Sequence, residues 1–582
     1  MRRIFALLST FAALGLPAFC QANGYTMSAA AGGANPYYYS GTGDGGSATA
    51  AALGKPAYDV ASDAAGNLYI ATGSVIRKVT PDGKISTFAG GGSEVGDFVP
   101  ATQAALAPTA LVADSSGNLF IADTAYGIYR IRMVDATGVI TTNAGGAPCC
   151  NLGDGGPATS AYIGIPYGLA LDAAGALYIA QADAQFNLVR KVAGGQIRTV
   201  AGGGQFSGDG ASATAVSLAR PLGVALDSKG NLYIAEAGAN RIRQVSPAGV
   251  IATVAGTGAA GTSGDGGPAA SAAVNAPYHV AVDASGDIFL TQMADARVRM
   301  VNPAGAIATI AGAASSGTLE RPTGIALGNC SQIYVADSSA TAPTVRVLNP
   351  VPAILSGGVG PNGSSATTIE PGSWISIYGS NLAGCTAVWN GNFPTSLAGT
   401  SVTFDSRPAY LWFVSPTQIN AQAPDGIASG TVGASVTTAG GTASASVNVA
   451  QYAPALSLFS SRYPAAIVST SAGYDAIGPS GAFAFPTRPV KAGETLTLFG
   501  VGFGPTNPVV AAGKGFSGAA PCATLPQVTI GGMPATVSFA GIVGAGLYQL
   551  NVVIPPAGSG DLPLLATVGG ASTQNNVFLT LQ

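Results

Sequence analysis

The chain has 582 residues, more than one hydrophobic core organises, so we expect two to four domains. Charged residues make up only 9% of the chain and glycine contributes 83 residues, which is typical of a turn-rich, all-β extracellular protein. A hydrophobic content of 47% excludes a disordered chain, and a net charge of -3 without any basic run argues against nucleic-acid binding.

The first 22 residues have the pattern of a secretory signal peptide. Arg2 and Arg3 precede an apolar stretch, residues 4–16, that is too short to span a bilayer. Small residues up to Ala22 offer a cleavage point, and Phe19 before Cys20 disfavours lipidation. We therefore expect an exported protein without a transmembrane segment, located in the periplasm, at the cell surface or in the medium.

One sequence pattern then occurs six times, with a spacing of 45 to 58 residues. Its clearest copy, residues 221–256, contains a short strand, an Asp-x-x-Gly-Asn turn, the strand Leu-Tyr-Ile-Ala, an Arg-Ile-Arg strand and a strand that ends in Thr-x-Ala-Gly. Four antiparallel strands per unit are typical of a β-propeller blade. The copies begin at the prolines Pro56, Pro108, Pro166, Pro221, Pro277 and Pro322.

The sixth unit has only three strands, the last of which ends near Val347. Residues 25–33 resemble the missing fourth strand, with the pattern Thr-x-x-Ala-Ala-Ala-Gly-Gly. We predict that this N-terminal strand completes the last blade, because ring closure removes two open sheet edges.

These motifs resemble the NHL-repeat family of six-bladed propellers over residues 23–350. Asp-x-x-Gly-Asn-Leu-Tyr-Ile-Ala and Arg-Ile-Arg recur in register, whereas blade six departs from the pattern with Leu-Gly-Asn-Cys at residues 327–330. The resemblance implies a binding surface at the mouth of the central channel.

The C-terminal third contains a second duplication. Residues 371–382 match residues 492–503, and residues 418–424 match residues 549–555, which predicts two immunoglobulin-like β-sandwiches over 371–451 and 452–582. Residues 351–370 are rich in glycine and serine and are interpreted as a linker. The pattern resembles IPT/TIG domains, and residues 415–424 resemble a paired C-terminal module of exported bacterial proteins.

Topology places three sets of residues on one face of the propeller, which we call the top face. They are the inter-blade Gly-Asp-Gly loops, the residues after each anchor proline and the ends of the second strands. Thr109 and Thr323 take the post-proline place in two blades. The candidate binding residues at the channel mouth are Tyr58, Asp123, Tyr167, Gln181, Glu236, Tyr278, His279, Gln292 and Asp337.

Structural interpretations compete with functional ones for most of these motifs. The repeated Gly-Asp-Gly loops and Arg-x-Arg pairs are better explained by loop capping and internal ion pairs than by calcium or anion binding. A carboxylate site built from Asp123, Glu236 and Asp337 would resemble calcium-dependent lactonase-like propellers, so calcium stays open as the one possible cofactor. His279 is the only histidine, which excludes three-histidine zinc binding.

Five cysteines remain after signal-peptide removal, so at least one is unpaired or intermolecular. Cys149 and Cys150 are expected in a top-face loop and Cys330 in a turn on the opposite face. Because Cys385 and Cys522 occupy similar places in the two sandwiches, we predict a disulfide between them.

The favoured function is an exported, non-enzymatic binding or scaffold protein. The top face of the propeller would recognise a protein, peptide or glycan, and the sandwiches would serve as a spacer or surface attachment. A calcium-dependent hydrolase or lyase that uses top-face carboxylates is the alternative, and a purely structural component of the cell envelope is a third possibility.

Overall fold

A computed structural model describes residues 24–33, 43–148, 151–183, 185–312, 318–339, 343–364, 366–471 and 473–582. The predicted signal peptide and Cys149 and Cys150 lie outside the described residues. Contacts divide the molecule into one unit over Ala22–Pro350 and another that contains Val351–Gln582.

The first unit is a six-bladed propeller. Six antiparallel sheets follow one another along the chain, and the first strands of neighbouring blades contact each other and so form the inner ring. Strand β1 is Tyr25–Gly32. Blade one contains β2 (Ala57–Ser62), β3 (Leu68–Thr72), β4 (Val75–Val79) and β5 (Ile85–Gly90), and blade two contains β6 (Val99–Pro100), β7 (Pro108–Ala113), β8 (Leu119–Asp123), β9 (Arg130–Val134) and β10 (Val139–Gly145). Blade three contains β11 (Pro166–Leu171), β12 (Leu177–Ala182), β13 (Asn187–Ala193) and β14 (Gln196–Gly202), and blade four contains β15 (Pro221–Leu226), β16 (Leu232–Glu236), β17 (Arg241–Val245) and β18 (Ile251–Ala255). Blade five contains β19 (Pro277–Val282), β20 (Ile288–Gln292), β21 (Arg297–Val301) and β22 (Ile307–Gly312), and blade six contains β23 (Pro322–Leu327), β24 (Ile333–Asp337) and β25 (Thr344–Pro350).

The N-terminal strand closes the ring as predicted. Strand β1 pairs antiparallel with β25, from Tyr25 opposite Pro350 to Gly32 opposite Thr344. The order β1-β25-β24-β23 therefore gives blade six its fourth strand.

The repeated turn motif explains the hairpin between the first two strands of a blade. In blade one, Asp63 Oδ1 accepts a hydrogen bond from the amide of Asn67 at 2.8 Å, and Asp63 Oδ2 accepts one from Asn67 Nδ2 at 2.7 Å. Gly66 has a φ of +82°, a conformation that glycine adopts without steric cost. The second-strand tyrosine packs between blades as expected, because Tyr69 is 3% exposed and bonds Asp63 through its hydroxyl.

Short 3-10 helices carry the chain from the outside of the propeller to the inner ring. Those before blades one to five are Ala48–Ala50, Ala101–Gln103, Ala158–Ser160, Ala213–Ala215 and Ala269–Ser271, and two more are Ala125–Gly127 and Met293–Asp295. None of the helices in the described residues is long and apolar enough to cross a lipid bilayer.

The second unit contains two β-sandwiches, each around its own buried apolar cluster. The first contains β26 (Ala353–Pro361), β27 (Thr368–Ile369), β28 (Trp374–Ser380), β29 (Ala387–Val388), β30 (Ser396–Leu397), β31 (Thr400–Phe404), β32 (Arg407–Pro408), β33 (Tyr410–Val414), β34 (Gln418–Gln422), β35 (Gly430–Thr438) and β36 (Gly441–Val449). The second contains β37 (Ala455–Leu456), β38 (Ala466–Thr470), β39 (Gly473–Ala476), β40 (Thr495–Val501), β41 (Ala520–Pro521), β42 (Gln527–Ile530), β43 (Met533–Gly544), β44 (Leu547–Val553), β45 (Gly560–Val568), β46 (Ala571–Ser572) and β47 (Phe578–Leu581).

The predicted linker over residues 351–370 is wrong in its first half. Strand β26 pairs with β28 and belongs to the first sandwich. Its register shifts between Ile354 and Val359, so a bulge absorbs the glycine-rich segment that resembled a linker.

A buried carboxyl group joins the two sandwiches. Glu370 is 6% exposed and accepts hydrogen bonds from the amide of Gly504 at 2.9 Å and from the hydroxyl of Tyr548 at 3.1 Å. Burial raises the pKa of Glu370 to about 7. Trp374 adds a second connection, because its indole Nε1 donates to the carbonyl of Ala545.

The predicted Cys385–Cys522 disulfide is wrong. Cys522 is a free thiol, whereas Cys330 and Cys385 are each disulfide-bonded. Burial, and then the negative charge of Glu370, raise the pKa of the Cys522 thiol to about 12. The two cysteines occupy similar places of duplicated modules, and equivalence between modules does not bring two positions within the roughly 7 Å that a disulfide spans.

Candidate functional site

The inner strands place one residue of each blade beside the channel axis. The pairing of Ala57 with Thr72 corresponds to that of Pro108 with Asp123, so blade one begins at Ala57 and not at Pro56. The third residue of each inner strand then forms a ring made of Asp59, Ala110, Gly168, Gly223, His279 and Gly324. Four of the six residues are glycine or alanine, which leaves Asp59 and His279 as the only polar members.

The glycines of this ring make room for its two polar side chains. A Cβ atom on Gly324 would lie 2.1 Å from Asp59 Oδ1, and one on Gly223 would lie 2.6 Å from the Cα of His279. Any side chain at either position would therefore force the inner strands apart.

Asp59 and His279 face each other in the interior of the propeller. Asp59 Oδ1 lies 3.7 Å from His279 Nε2, which is too long for a hydrogen bond. Asp59 Oδ2 accepts a hydrogen bond from the amide of Leu111 at 2.8 Å. Within the described residues, Asp59 Oδ1 and both imidazole nitrogens lack a hydrogen-bond partner of ordinary geometry. Buried polar atoms without a hydrogen-bond partner are rare in folded proteins, so the Asp59–His279 pair is an unusual feature of this propeller.

Burial keeps both groups uncharged near neutral pH. Desolvation raises the pKa of Asp59 to about 8 and lowers the pKa of His279 to about 4. A protonated Asp59 is a hydrogen-bond donor, and a neutral imidazole is both a donor and an acceptor. The centre of the ring is thus polar without carrying a charge.

Three tyrosines stand one residue before this ring, and we call them the tyrosine rim: Tyr58, Tyr167 and Tyr278. Tyr58 is 36% exposed, and Tyr167 and Tyr278 pack against Leu222. Burial, and then Asp59, raise the pKa of Tyr278 to about 12, and Tyr167, Arg220 and Tyr58 also act on it electrostatically. The rim therefore presents aromatic rings and hydroxyl groups beside one guanidinium group.

The two threonines at the same position link the inner strands of neighbouring blades. The hydroxyl of Thr109 donates to the carbonyl of Pro166 at 2.7 Å, and that of Thr323 donates to the carbonyl of Ala57 at 3.1 Å. Thr109 and Thr323 thus stabilise the inner ring by joining neighbouring blades.

The carboxylates at the ends of the second strands bind the backbone of their own blades. Asp123 Oδ1 accepts hydrogen bonds from the amides of Ala107 and Ala125, and Glu236 Oε1 accepts one from Ala219 at 2.6 Å. Asp337 Oδ1 accepts hydrogen bonds from the amides of Glu320 at 3.0 Å and of Arg321 at 2.8 Å. Each carboxylate fixes the loop that leads into its blade, so the structure does not gather them into one site.

The two glutamines of this set are also buried. Gln292 donates from Nε2 to Asp295 Oδ2 at 3.2 Å, whereas neither side-chain atom of Gln181 finds a partner in the described residues. Gln181 pairs with Pro166, so it lies beside the strand that carries Tyr167. The side-chain amide of Gln181 is thus buried without a hydrogen-bond partner among the described residues.

The Gly-Asp-Gly loops lie at the outer strands and not on the top face, where we predicted them. In blade one, the amide of Gly45 donates to the carbonyl of Ile85 on the fourth strand. Asp44 accepts a hydrogen bond from the amide of Thr87 and pairs with Arg77. The same arrangement recurs in blade four, where Asp209 lies 2.8 Å from the guanidinium of Arg243.

These contacts confirm the structural interpretation of both motifs. The second arginine of each Arg-x-Arg pair is buried and reaches a loop aspartate, as Arg132 does to Asp97 at 3.1 Å. In blades one and three a single arginine, Arg77 or Arg190, takes the same place. We call this contact the Arg–Asp clamp. Its pairs are Arg77–Asp44, Arg132–Asp97, Arg190–Asp154, Arg243–Asp209 and Arg299–Asp265.

Asp59 is the site residue that sequence reasoning missed. The turn aspartate lies six residues after the anchor in blades two to five, but seven residues after Pro56. That extra residue was a signal that the anchor of blade one is Ala57, which would have aligned Asp59 with His279. Across the described ranges, no group of three or more His, Cys, Asp or Glu side chains is placed to hold a metal ion.

Comparisons with known proteins give two family matches. Residues 187–263 match the model of the teneurin NHL domain, and residues 361–452 match the model of the IPT/TIG domain. No curated protein matched the chain.

Several solved structures resemble the propeller. A protein of unknown function from Bacteroides thetaiotaomicron is 16% identical over 56% of this chain and 76% of its own, with a TM-score of 0.41. An auxiliary nutrient binding protein from Bacteroides ovatus is 13% identical over 56% and 77%, with a TM-score of 0.41. A gluconolactonase from Xanthomonas campestris is 12% identical over 56% and 90%, with a TM-score of 0.36. At such values we draw nothing about function from them. The chain thus combines an NHL-type β-propeller with a C-terminal unit that contains an IPT/TIG domain.

Proposed function

We propose that the protein is an exported, non-enzymatic binding protein whose tyrosine rim recognises a protein, peptide or glycan. The NHL propeller and the TIG domain both point to a binding or scaffold role. The observation that carries the finer proposal is the tyrosine rim itself, next in sequence to Asp59 and His279, two buried uncharged groups whose Oδ1 and imidazole nitrogens lack hydrogen-bond partners in the described residues.

The chemistry of the rim suits recognition. Tyrosines supply large apolar surfaces at a low entropic cost and place a hydroxyl group at the edge of each ring. Tyr58 is accessible at 36% exposure, and Arg220 adds a fixed charge close to Tyr278. Ligands that offer an apolar face together with hydrogen-bonding groups fit this surface.

The buried carboxylates support a non-enzymatic role. Asp123, Glu236 and Asp337 accept hydrogen bonds from backbone amides of their own blades, and Asp123 and Glu236 also lie beside Arg130 and Arg243. Asp59 and His279 are held uncharged behind the rim, where neither is accessible to a substrate. In this proposal the sandwiches act as a spacer or surface attachment, and export rests on the pattern of residues 1–22.

The test compares capture of partners by three forms of the full chain. Cell-envelope extracts and a glycan array are probed with the wild type, with the double variant Tyr58→Ala/Tyr167→Ala and with Tyr126→Ala as a control. Tyr126 is 73% exposed and belongs to a different loop. We expect a bound partner that survives Tyr126→Ala and whose affinity falls at least tenfold in the double variant.

Two results would overturn the proposal. The first is equal binding by all three forms, which would remove the tyrosine rim from recognition. The second is turnover in a hydrolase and lyase screen that Glu236→Gln or Asp337→Asn abolishes, together with a fall in melting temperature on adding EDTA. That second result would favour the calcium-dependent enzyme instead.

A further inference from the structure

The second sandwich contains a cavity of about 480 Å³ in a segment that the first sandwich lacks. In the first sandwich the chain runs from Ala353 to Trp374 between the starts of β26 and β28. In the second it runs from Ala455 to Thr495 between the starts of β37 and β40, about 20 residues more. The added hairpin β38–β39 and the loop after it line the cavity together with β40. The cavity is therefore formed by a segment that the two sandwiches do not share.

Aromatic rings form one wall of the cavity. Phe459 and Phe485 meet edge to face with centroids 5.1 Å apart, and Phe483 stacks behind Phe485 at 5.3 Å. Phe499 of β40 and Tyr474 also line the cavity; Phe499 is 7% exposed and Tyr474 is 50% exposed. The wall is thus held in place by ring-to-ring contacts, and its outer edge is accessible from solvent.

A fixed ion-pair network contributes the polar part of the lining, through Asp475 and Arg488. Arg488 Nε lies 2.7 Å from Asp475 Oδ2, and its two terminal nitrogens lie 3.0 and 2.9 Å from Glu494. The carbonyl of Pro489 accepts a further hydrogen bond from Nη1 at 3.0 Å. These partners, chiefly Glu494 and then Asp475, raise the pKa of Arg488 above its usual value. The guanidinium therefore stays charged and in one orientation.

The network leaves one donor and one acceptor side by side. A guanidinium has five N–H donors, and the contacts above use four of them. The fifth, on Nη2, lies on the Nε side, which faces Asp475. Among the described residues no group donates to Asp475 Oδ1, and the Asp475 side chain is 44% exposed.

We propose that this cavity binds a ring of a neutral saccharide. The apolar C–H face of a sugar ring packs on aromatic side chains, and two neighbouring hydroxyl groups supply one donor for Asp475 and one acceptor for Arg488. A charged ligand fits less well, because an anion meets Asp475 and Glu494 whereas a cation meets Arg488. The volume of about 480 Å³ falls within the usual range of ligand pockets, roughly 300–1,000 Å³.

The inference goes beyond the function proposed for the propeller. It assigns recognition to the C-terminal unit, through residues that do not take part in the tyrosine rim. Either site can fail its test without affecting the other, because each test uses variants in a different unit.

The experiment uses the full chain and an array of neutral oligosaccharides built from glucose, galactose, mannose or N-acetylglucosamine. The two test variants are Tyr474→Ala, at an exposed ring, and Asp475→Asn, which keeps the size of the side chain. Tyr378→Ala is the matched control, because Tyr378 is an exposed tyrosine, at 38%, on strand β28 of the first sandwich. Melting temperatures of all forms confirm that the sandwiches remain folded.

We expect at least one saccharide to bind the wild type and Tyr378→Ala equally, with at least a tenfold loss of affinity in both test variants. Binding to none of the neutral saccharides overturns the proposal. So does saccharide binding that neither test variant weakens, or binding that requires a charged sugar. The double variant Tyr58→Ala/Tyr167→Ala serves as a further control, since its saccharide binding through this cavity must be unchanged.

Discussion

At the scale of single residues, the most consequential pair is Asp59 and His279. Both are buried, and their pKa values move in opposite directions, to about 8 and about 4. A buried carboxyl group whose pKa is raised stabilises the folded state below its unfolded pKa, and this contribution is lost as the pH rises through about 8. A buried histidine whose pKa is lowered contributes above its unfolded pKa, and that contribution is lost as the pH falls through about 4.

The contributions of Asp59 and His279 oppose each other between about pH 4 and 6.5, so the pair predicts a melting temperature of the propeller that falls chiefly between about pH 6.5 and 8, where only the Asp59 contribution changes. Asp59→Asn removes this fall; the whole Asp59 contribution is on the order of 2–5 kcal/mol for a buried charge. His279→Gln removes the opposing contribution, so the fall begins near pH 4 and continues to about pH 8, and each variant is the control for the other. The measurement is differential scanning calorimetry of the full chain between pH 4 and 9. A fall between about pH 6.5 and 8 that is identical in the wild type and Asp59→Asn would contradict this assignment.

The sequence alone was sufficient to place Tyr58, Tyr167, Tyr278 and His279 on the first strands, because each follows an anchor residue that can be counted. It was not sufficient to pair His279 with Asp59. That contact joins blades one and five across Gly324 of blade six, and such a contact depends on the curvature of the ring. The roles of Asp123, Glu236 and Asp337 could not be predicted either, since a strand-end carboxylate can face a ligand or its own backbone.

At the scale of elements, the Arg–Asp clamp holds each outer loop to its blade. Arg243 is 1% exposed and bonds Asp209 and the carbonyl of Gly208, while Asp209 also accepts the amide of Thr253 at 3.0 Å. A buried guanidinium that loses its carboxylate retains its charge with fewer acceptors. The clamp thus fixes strands three and four as well as the loop.

Removal of one clamp predicts a clear loss of stability. We expect Asp209→Ala to lower the free energy of unfolding by ~1–3 kcal/mol, because Arg243 stays buried and loses a charged partner. Asp82→Ala is the control, since the pair of Asp82 with Lys84 at 3.4 Å is solvent-exposed and such pairs contribute about 1 kcal/mol or less. The transition assigned to the propeller is followed by scanning calorimetry. Equal effects of the two substitutions would show that the clamp does not stabilise the blade.

Strand order within each blade was predictable because four motifs recur in register. The start of the first sandwich was not predictable, because β26 is interrupted by a glycine-rich bulge and carries no alternating pattern there. The cavity beside β39 could not be predicted either, because its aromatic residues come from segments that meet only after the hairpin β38–β39 has folded.

At the scale of the whole molecule, the propeller is held closed by β1. A variant that lacks residues 24–33 leaves β25 without its partner strand, which exposes a free sheet edge. We expect a lower melting temperature and concentration-dependent aggregation, measured by calorimetry and light scattering. A synthetic peptide with the sequence of residues 24–33 should restore part of the lost stability by adding the missing strand. A truncated chain that melts like the intact one would contradict the closure.

The position of β1 also determines when the propeller can complete its folding. The hydroxyl of Thr26 donates to the carbonyl of Asn349, which lies 323 residues further along the chain. Closing a loop of that length costs about 5 kcal/mol in chain entropy before any contact repays it. When synthesis has reached residue 300, β1 has therefore been made but its partner strand β25 has not. Blades can form one after another as they emerge from the ribosome. The ring closes only once residues near 350 have been synthesised, so β1, the first strand to be made, is the last to pair.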